Sequence, residues 1–212
     1  MSGNEPGGWS PENHAPEGWP VPLRGVTESV IATLGPNERW NVAALGIHAG
    51  DPVTARTYGN TRTRRNFGRQ GGGVVQFVAD PREFVDAALS IREEPSPVLD
   101  SADAWVDVEV EQVGSHEEAG TTIRKWELRP VDSAVVRERP MTTNRAFAAV
   151  VEATVAASRL DTPGFETATL LDRLTFFADV VERCGGAREQ EAMARVGVYT
   201  DWRERIEVDE SR

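Results

Sequence analysis

The strongest constraint on the fold is a regular alternation of apolar and acidic residues in the stretch ADAWVDVEVEQV. Val106, Val108 and Val110 alternate there with aspartate and glutamate. Because successive side chains of a β-strand point to opposite faces, the alternation predicts a strand with one buried face and one wet face. Such strands are typical of antiparallel sheets, whereas strands of parallel sheets are usually apolar on both faces. We therefore expect an antiparallel sheet.

Other short segments extend this sheet. VTESVIATL and WNVAALGIHA are separated by GPNER, a turn signal, and PVTARTY, GVVQFVA and TTIRKWELRPV have the composition of strands. Two helices are expected among them. NTRTRRNFGRQ has Asn60 or Thr61 as its cap and ends at the glycines 71–73, and DPREFVDAAL opens with an Asp-Pro start signal. About six strands with two inserted helices predict a small antiparallel barrel rather than a βαβ repeat.

The chain becomes helical near residue 140. TTNRAFAAVVEATVAASRL, ETATLLDRLTFFADVVERC and AREQEAMARV each carry apolar residues at helical spacing, with Pro and Gly between them. The predicted class is therefore mainly β with α. We expect a disordered acidic tail at 1–22, a barrel domain at 23–140 and a C-terminal helical domain at 141–212. The tail prediction rests on five prolines and four glycines, although Trp9 and Trp19 are unusual there and suggest that it docks.

The composition indicates a highly charged surface. The formal net charge is −11, and the basic residues are 22 arginines and a single lysine, Lys125. A lysine-poor acidic surface favours solubility where salt screens repulsion. This predicts a halophilic archaeal source, the alternative being an ordinary acidic protein from a GC-rich genome. No apolar run is long enough to span a membrane and the N-terminus has no signal-peptide pattern, so we expect a cytoplasmic protein without membrane association.

An acid-free window at residues 52–79 is the main functional signal. It holds five arginines, namely Arg56, Arg62, Arg64, Arg65 and Arg69, in a chain with 34 acidic residues. Guanidinium groups bind phosphate in a bidentate manner, and a helix N-terminus adds oriented N–H donors. Thr61 and Thr63 add hydroxyls at the predicted helix start. The window therefore predicts a phosphate pocket, and an arginine face paired with carboxylates elsewhere is the structural alternative.

Other kinds of site have little support. A net charge of −11 disfavours nucleic acid, and the chain has no P-loop and no G-x-G-x-x-G motif. His14, His48 and His116 are spread apart without ligand spacing, so no metal site is predicted. Cys184 falls in a helical apolar pattern typical of core packing. No nucleophile elbow is present, and no catalytic residue can be named.

The order of these motifs resembles an archaeal family of unknown function. The segments that carry the resemblance are ESVIATL, NVAALGI, VTARTYGNTRTRRNFGRQGGGVVQFVADPREFVDAAL, ADAWVDVEV and NRAFAAVVEATVAASRL, from about Glu28 to Leu160. That family is similar to the FMN-binding split-barrel flavoproteins, which include flavin reductase-like proteins. The resemblance implies an FMN-binding split β-barrel of about six antiparallel strands with a C-terminal helical unit.

The resemblance also implies a homodimer with FMN at the subunit interface. It places Arg56, Thr61 and Thr63 near the phosphate, Asn66 on the following helix, and the backbone of 41–44 along the ring. Asn144 and Arg145 match the family's NRA helix start. Gln76 stands where related proteins tend to have Asn, and TRTRRNF is richer in arginine than usual. The implied cofactor-binding residues are Asn41, Val42, Ala43, Ala44, Arg56, Thr61, Arg62, Thr63, Asn66, Gln76, Asn144 and Arg145.

Three functions fit this resemblance. The first is a flavin-dependent oxidoreductase acting on a small molecule, including reduction by NAD(P)H. The second is a carrier or sensor that holds FMN and passes it, or its redox state, to a partner. The third is a protein that binds a pterin or another phosphorylated ligand in the same pocket. The sequence names neither the substrate nor the electron donor.

Overall fold

The computed structural model describes residues 15–140 and 142–209. Its strands are β1 (Val26–Leu34), β2 (Trp40–His48), β3 (Thr54–Tyr58), β4 (Gly72–Val78), β5 (Arg92–Glu94), β6 (Ala102–Glu118) and β7 (Thr121–Val135). Its helices are α1 (Arg62–Gln70), α2 (Pro81–Leu89), α3 (Arg145–Ala157), α4 (Thr167–Cys184), α5 (Ala187–Thr200) and α6 (Trp202–Asp209). Within the described ranges, no helix combines the length and hydropathy needed to cross a bilayer.

Six of the strands form a closed antiparallel barrel. The neighbour order is β1-β4-β6-β7-β3-β2, and β1 pairs with β2 along its whole length, which closes the ring. The short strand β5 extends the sheet at the start of β2. The predicted antiparallel barrel of about six strands is confirmed, including the hairpin formed by the first two strands. The alternation in β6 is also confirmed, since Val106 and Val108 are buried and Glu109 is exposed.

Large apolar side chains fill the barrel. Phe67 reaches in from α1 and packs edge-on against Trp126 of β7, with ring centroids 5.2 Å apart. Trp19 is 5% exposed and packs in the same cluster. Within the predicted disordered tail, Ala15, Trp19 and Val21 therefore pack against the barrel. Burial of the Trp19 indole outweighs the proline-rich composition of this segment. Trp9 lies outside the described residues.

The helices form a second layer on the outside of the barrel. Helices α3, α4 and α5 bury one common apolar cluster, and α2 contributes Val85 to it. Two residues further along α2, Ala87 packs against Val30 and Val42 on the outer face of β1 and β2. Helix α2 therefore contacts both layers, which positions the C-terminal helices beside the outer face of these two strands.

Candidate functional site: a cleft between the barrel and the helices

A cleft of about 750 Å³ separates the outer face of the barrel from the helical layer. Ala44 and Gly46 of β2 line it from the barrel side, and Phe84 and Ala88 of α2 line it from the helical side. Its volume falls in the range of about 300–1,000 Å³ that is common for small-molecule sites. We call this cavity the barrel–helix cleft.

Strand β3 directs a cation into the cleft. Side chains alternate along this strand, so Ala55 and Thr57 point into the barrel and are buried, while Arg56 and Tyr58 point outward and are exposed. Both outward side chains line the barrel–helix cleft. No ion pair or hydrogen bond of the Arg56 side chain is found within residues 15–140 and 142–209. Its guanidinium is therefore available to an anionic ligand.

The N-terminus of α1 lies at the same cleft. The Thr61 hydroxyl accepts a hydrogen bond from Arg64 N at 3.2 Å and caps the helix. The N–H groups of Arg62 and Thr63 lie ahead of the first intrahelical bond, so the helix itself does not satisfy them. No acidic residue occupies the first turn, although one is usual there. Thr61 and Thr63 line the cleft together with Arg56.

Other basic side chains lie near Arg56, with Lys125 opposite it on β7. The pKa of His48 is lowered, first by burial and then by the nearby charges of Arg56 and Lys125. Arg64 adds a further cation to the first turn of α1, and its Nε is buried with no hydrogen-bond partner in the described part of the chain. An anion bound here would be attracted by Arg56 and would meet oriented N–H and O–H donors.

Further lining residues of the cleft were not indicated by the sequence. They come from α3, from the corner between α3 and α4, and from the β6–β7 turn, and include Thr154, Arg159, Phe165 and Glu118. Glu28 of β1 also lines the cleft, and its pKa is raised by burial and then by Glu152. The signal that could have indicated Arg159 is its position just after a predicted helix, in ASRLDTPGF.

Five of the residues implied by the resemblance line the barrel–helix cleft: Ala43, Ala44, Arg56, Thr61 and Thr63. Ala44 lies on the outward face of β2 with Gly46, whereas the side chain of Ala43 packs with the barrel cluster. The structure brings these five residues together from two strands and one helix that are separated in sequence.

The remaining implied residues lie elsewhere and have other contacts. Asn41 and Val42 are buried at the start of β2, and Val42 packs against α2. Arg62 forms an ion pair with Glu93 of β5 at 2.6 Å. Asn66 donates to Thr33 Oγ1 at 3.0 Å, which ties α1 to β1.

Gln76 is fully buried and holds the segment before β6, accepting from Leu99 N at 2.7 Å and donating to Pro97 O at 2.8 Å. Asn144 caps α3, accepting from Ala146 N at 2.9 Å. Arg145 donates to Cys184 Sγ and so connects α3 to α4. These contacts position backbone and helices, and any role of these residues toward a cofactor stays a prediction.

No metal centre is found among the described residues, because no three His, Cys, Asp or Glu side chains converge there. His48 and His116 lie on different strands, and Cys184 is half-buried at the end of α4. His14 lies outside the described residues.

The chain matches a family with two parts. Its N-terminal part, described as the N-terminal domain of Protein of unknown function (DUF447), matches residues 27–137, and its C-terminal part matches residues 144–197. The protein therefore belongs to the DUF447 family.

A solved structure from the same family shows the same fold. The FMN-bound protein MM1853 from Methanosarcina mazei, of the same family, is 27% identical and superposes with a TM-score of 0.69 over 82% of this chain and 94% of its own. Two more distant structures cover about half of this chain. The flavin reductase of styrene monooxygenase from Pseudomonas putida S12 has 12% identity, a TM-score of 0.41, and coverage of 56% and 93%. Flavoredoxin from Methanosarcina acetivorans has 12% identity, a TM-score of 0.39, and coverage of 55% and 72%. The predicted split-barrel fold is confirmed.

Proposed function

We propose that the protein binds FMN in the barrel–helix cleft, with the phosphate at the end formed by Arg56, Thr61 and Thr63. The observation that carries this proposal is an arginine without a carboxylate partner in the described ranges, facing the same cleft as a helix start that has no acidic residue in its first turn. The FMN-bound relative from the same family supports the choice of ligand. A phosphate dianion matches the donors present, because guanidinium, hydroxyl and helix N–H groups all bind its oxygens.

The rest of the cleft fits a flat ring. Ala44 and Gly46 on the outward face of β2 carry a small side chain or none, and Phe84 and Ala88 line the cleft from α2. Hydride and electron chemistry would come from the flavin, while the chain binds, orients and shields it from water. Because the flavin would supply the reactive group, the chain needs no acid–base or nucleophilic arrangement of its own.

The test compares FMN with riboflavin, which has the same ring and no phosphate. Titration followed by flavin fluorescence should show tighter binding of FMN by the wild type. Arg56→Ala should weaken FMN binding about tenfold or more, because a charge-assisted hydrogen bond contributes about 1.5–3 kcal/mol, and should leave riboflavin binding unchanged. Arg129→Ala is the matched control, since Arg129 pairs with Glu111 and Glu127 outside the cleft. Equal affinities of the wild type for the two flavins would refute the phosphate assignment.

We propose more specifically that the protein is a flavin-dependent oxidoreductase. Its substrate would be a small molecule, and NAD(P)H is a candidate reductant. Stopped-flow mixing of the FMN-loaded protein with NADH or NADPH should bleach the flavin band near 450 nm, a generic property of the cofactor. A protein that binds FMN but is not reduced under these conditions would instead fit a carrier or sensor. Mass spectrometry of any ligand released on denaturation would identify a pterin or another phosphorylated compound.

A homodimer is part of the same proposal. Tyr58 at the edge of the cleft is 52% exposed, and Val113 on the outer half of the β6–β7 hairpin is 47% exposed. A second subunit that covered these side chains would also shield the cleft. Light scattering should give a mass of twice the chain's 23.2 kDa, and a monomer at micromolar concentration would contradict this part of the proposal.

A further inference from the structure

A second cation lines the barrel–helix cleft from the helical side. Arg159 follows the end of α3 and is half-buried at the cleft wall. Within residues 15–140 and 142–209, no carboxylate lies within ion-pair distance of its guanidinium. Arg173 of α4, by contrast, pairs with Glu152 at 3.0 Å.

The nearest acidic residue in the sequence is engaged elsewhere. Asp161 lies two positions after Arg159 but accepts two hydrogen bonds from Arg205 of α6, at 2.9 and 3.1 Å. Glu118 also lines the cleft, and its carboxylate lies 3.7 Å from His116 Nε2. The local carboxylates therefore leave the positive charge of Arg159 available to a ligand.

An aromatic ring fixes the orientation of this guanidinium. The Arg159 guanidinium carbon lies 5.0 Å from the centroid of the Phe165 ring, within the range of a cation–π contact. Phe165 is 44% exposed, so part of its ring surface is free at the cleft. An oriented cation beside a free ring surface is suited to a planar ligand that carries an anionic group.

The corner that carries both residues is held against the barrel. Gly164 adopts a φ of +89°, and a Cβ added there would lie 2.7 Å from Ala119 Cβ in the β6–β7 turn. The corner is braced further by a hydrogen bond from Thr162 N to Arg159 O at 3.0 Å. Close approach of the two turns places Arg159 and Phe165 at a defined position over the cleft.

We propose that Arg159 and Phe165 form a second subsite of the barrel–helix cleft, which binds the carboxylate or phosphate of a planar second ligand beside the flavin. This inference rests on the proposed FMN site. A single FMN has one phosphate group, and Arg56 with the start of α1 already provides donors for it. The positive charge of Arg159, contributed by the helical layer, therefore determines which second molecule binds.

The experiment first measures FMN affinity and then probe affinity. Arg159→Ala should bind FMN within about twofold of the wild type. The FMN-loaded proteins are next titrated with benzoate, as a carboxylate probe, and with NADP⁺, as a phosphate probe, and the flavin absorbance difference is recorded. Arg159→Ala should weaken binding of the preferred probe about tenfold or more, as expected for a lost charge-assisted hydrogen bond. The probe that responds distinguishes an aromatic acid from a nucleotide.

Arg203→Ala is the matched control, because Arg203 also lies over an aromatic ring, that of Trp202 at 4.4 Å, but does not line the cleft. It should change neither affinity. If Arg159→Ala does not fold, Arg159→Lys replaces it in the experiment. Lysine keeps the charge but lacks the planar pair of donors, so the affinity for the probe should fall severalfold.

Three results would overturn the inference. One is a loss of FMN affinity in Arg159→Ala as large as that in Arg56→Ala, which would assign Arg159 to the flavin phosphate. Another is FMN-loaded wild type whose spectrum responds to neither probe, and the third is equal probe affinity in wild type and variant. If the wild type does not bind FMN, both the proposed function and this inference are wrong. The FMN titration comes first, so it separates failure of the proposed function from failure of the second subsite alone.

Discussion

Trp126 donates a hydrogen bond from its indole Nε1 to Thr57 Oγ1 at 2.9 Å inside the barrel. This bond joins β7 to β3 and holds Thr57 on the inner face. Because side chains alternate along a strand, Arg56 and Tyr58 are then directed outward into the cleft. A buried contact in the core thus sets the direction of the cation proposed to bind phosphate.

We expect Thr57→Val to destabilise the protein by about 1–3 kcal/mol, because the buried Trp126 N–H would lose its acceptor. Urea denaturation checks this value. Thr57→Ser keeps the hydroxyl and should lie close to the wild type. Equal stability of the Val and Ser variants would mean that the hydrogen bond contributes little.

Local signals in the sequence predicted much of the fold. Thr61 and Asp80 cap α1 and α2 as expected, and Gly71 ends α1 in the left-handed region with a φ of +67°. Each of these features depends on a few adjacent residues, which a sequence pattern can show. Strand β5, with the sequence REE, was not predicted, because three charged residues carry no strand signal and pair with β2 only in the folded barrel.

The candidate site was predicted only in part, for a related reason. Arg56 and Thr63 lie seven positions apart in the acid-free window, so their composition signals a shared site. Arg159 contacts the cleft because the α3–α4 corner meets the β6–β7 turn, and no local pattern encodes that approach. Polar residues such as Gln76 suit a ligand or a buried backbone group equally well, and the structure shows the second kind of contact.

Thr61→Asp separates helix capping from ligand binding. Aspartate is as good an N-cap as threonine and favours the positive end of the helix, so thermal stability without ligand should be unchanged or slightly higher. The same carboxylate would repel a phosphate in the cleft. We expect FMN affinity to fall about tenfold or more, from loss of a hydroxyl donor and like-charge repulsion. Fluorescence titration and thermal unfolding measure the two effects, and unchanged FMN affinity would place the phosphate elsewhere.

The pKa of His48 reports on the charge of Arg56. Burial lowers this pKa first, and Arg56 and Lys125 lower it further. We expect Arg56→Ala to raise the pKa of His48 toward its ordinary value, as measured by NMR titration with His48→Gln for assignment. FMN should also raise it, because a bound phosphate would offset the arginine charge. An unchanged pKa in both experiments would contradict the proposed phosphate position.

The lowered pKa of His48 also predicts how the free energy of unfolding changes with pH. Between the lowered pKa of folded His48 and the ordinary value in the unfolded chain, the unfolded state binds more protons, so the free energy of unfolding rises with pH across that window. His48→Gln should reduce this rise. Urea denaturation at several pH values on either side of pH 6.5, the unshifted value, checks the prediction, and a rise of the same size in His48→Gln would assign it to other groups.

Salt should stabilise the protein by screening repulsion between its acidic residues. A net charge of −11 creates repulsion that mobile ions screen, since the Debye length shortens from about 10 Å at 0.1 M to about 3 Å at 1 M. We expect the melting temperature to increase between low and molar KCl. A flat or falling melting temperature would favour an ordinary acidic protein.

Glu28 provides the last test, with a pH dependence opposite to that of His48. Burial and the charge of Glu152 raise its pKa, so the folded state binds more protons than the unfolded state above the ordinary value of 4.5. Stability is therefore lost as pH rises through the raised pKa. Glu28→Gln should be more stable than the wild type at pH 7 and lose this advantage below about pH 4, although exposure of Glu28 to water keeps the effect small. Denaturation curves at both pH values measure it, and a destabilised variant at pH 7 would show that the charged carboxylate makes a favourable contact.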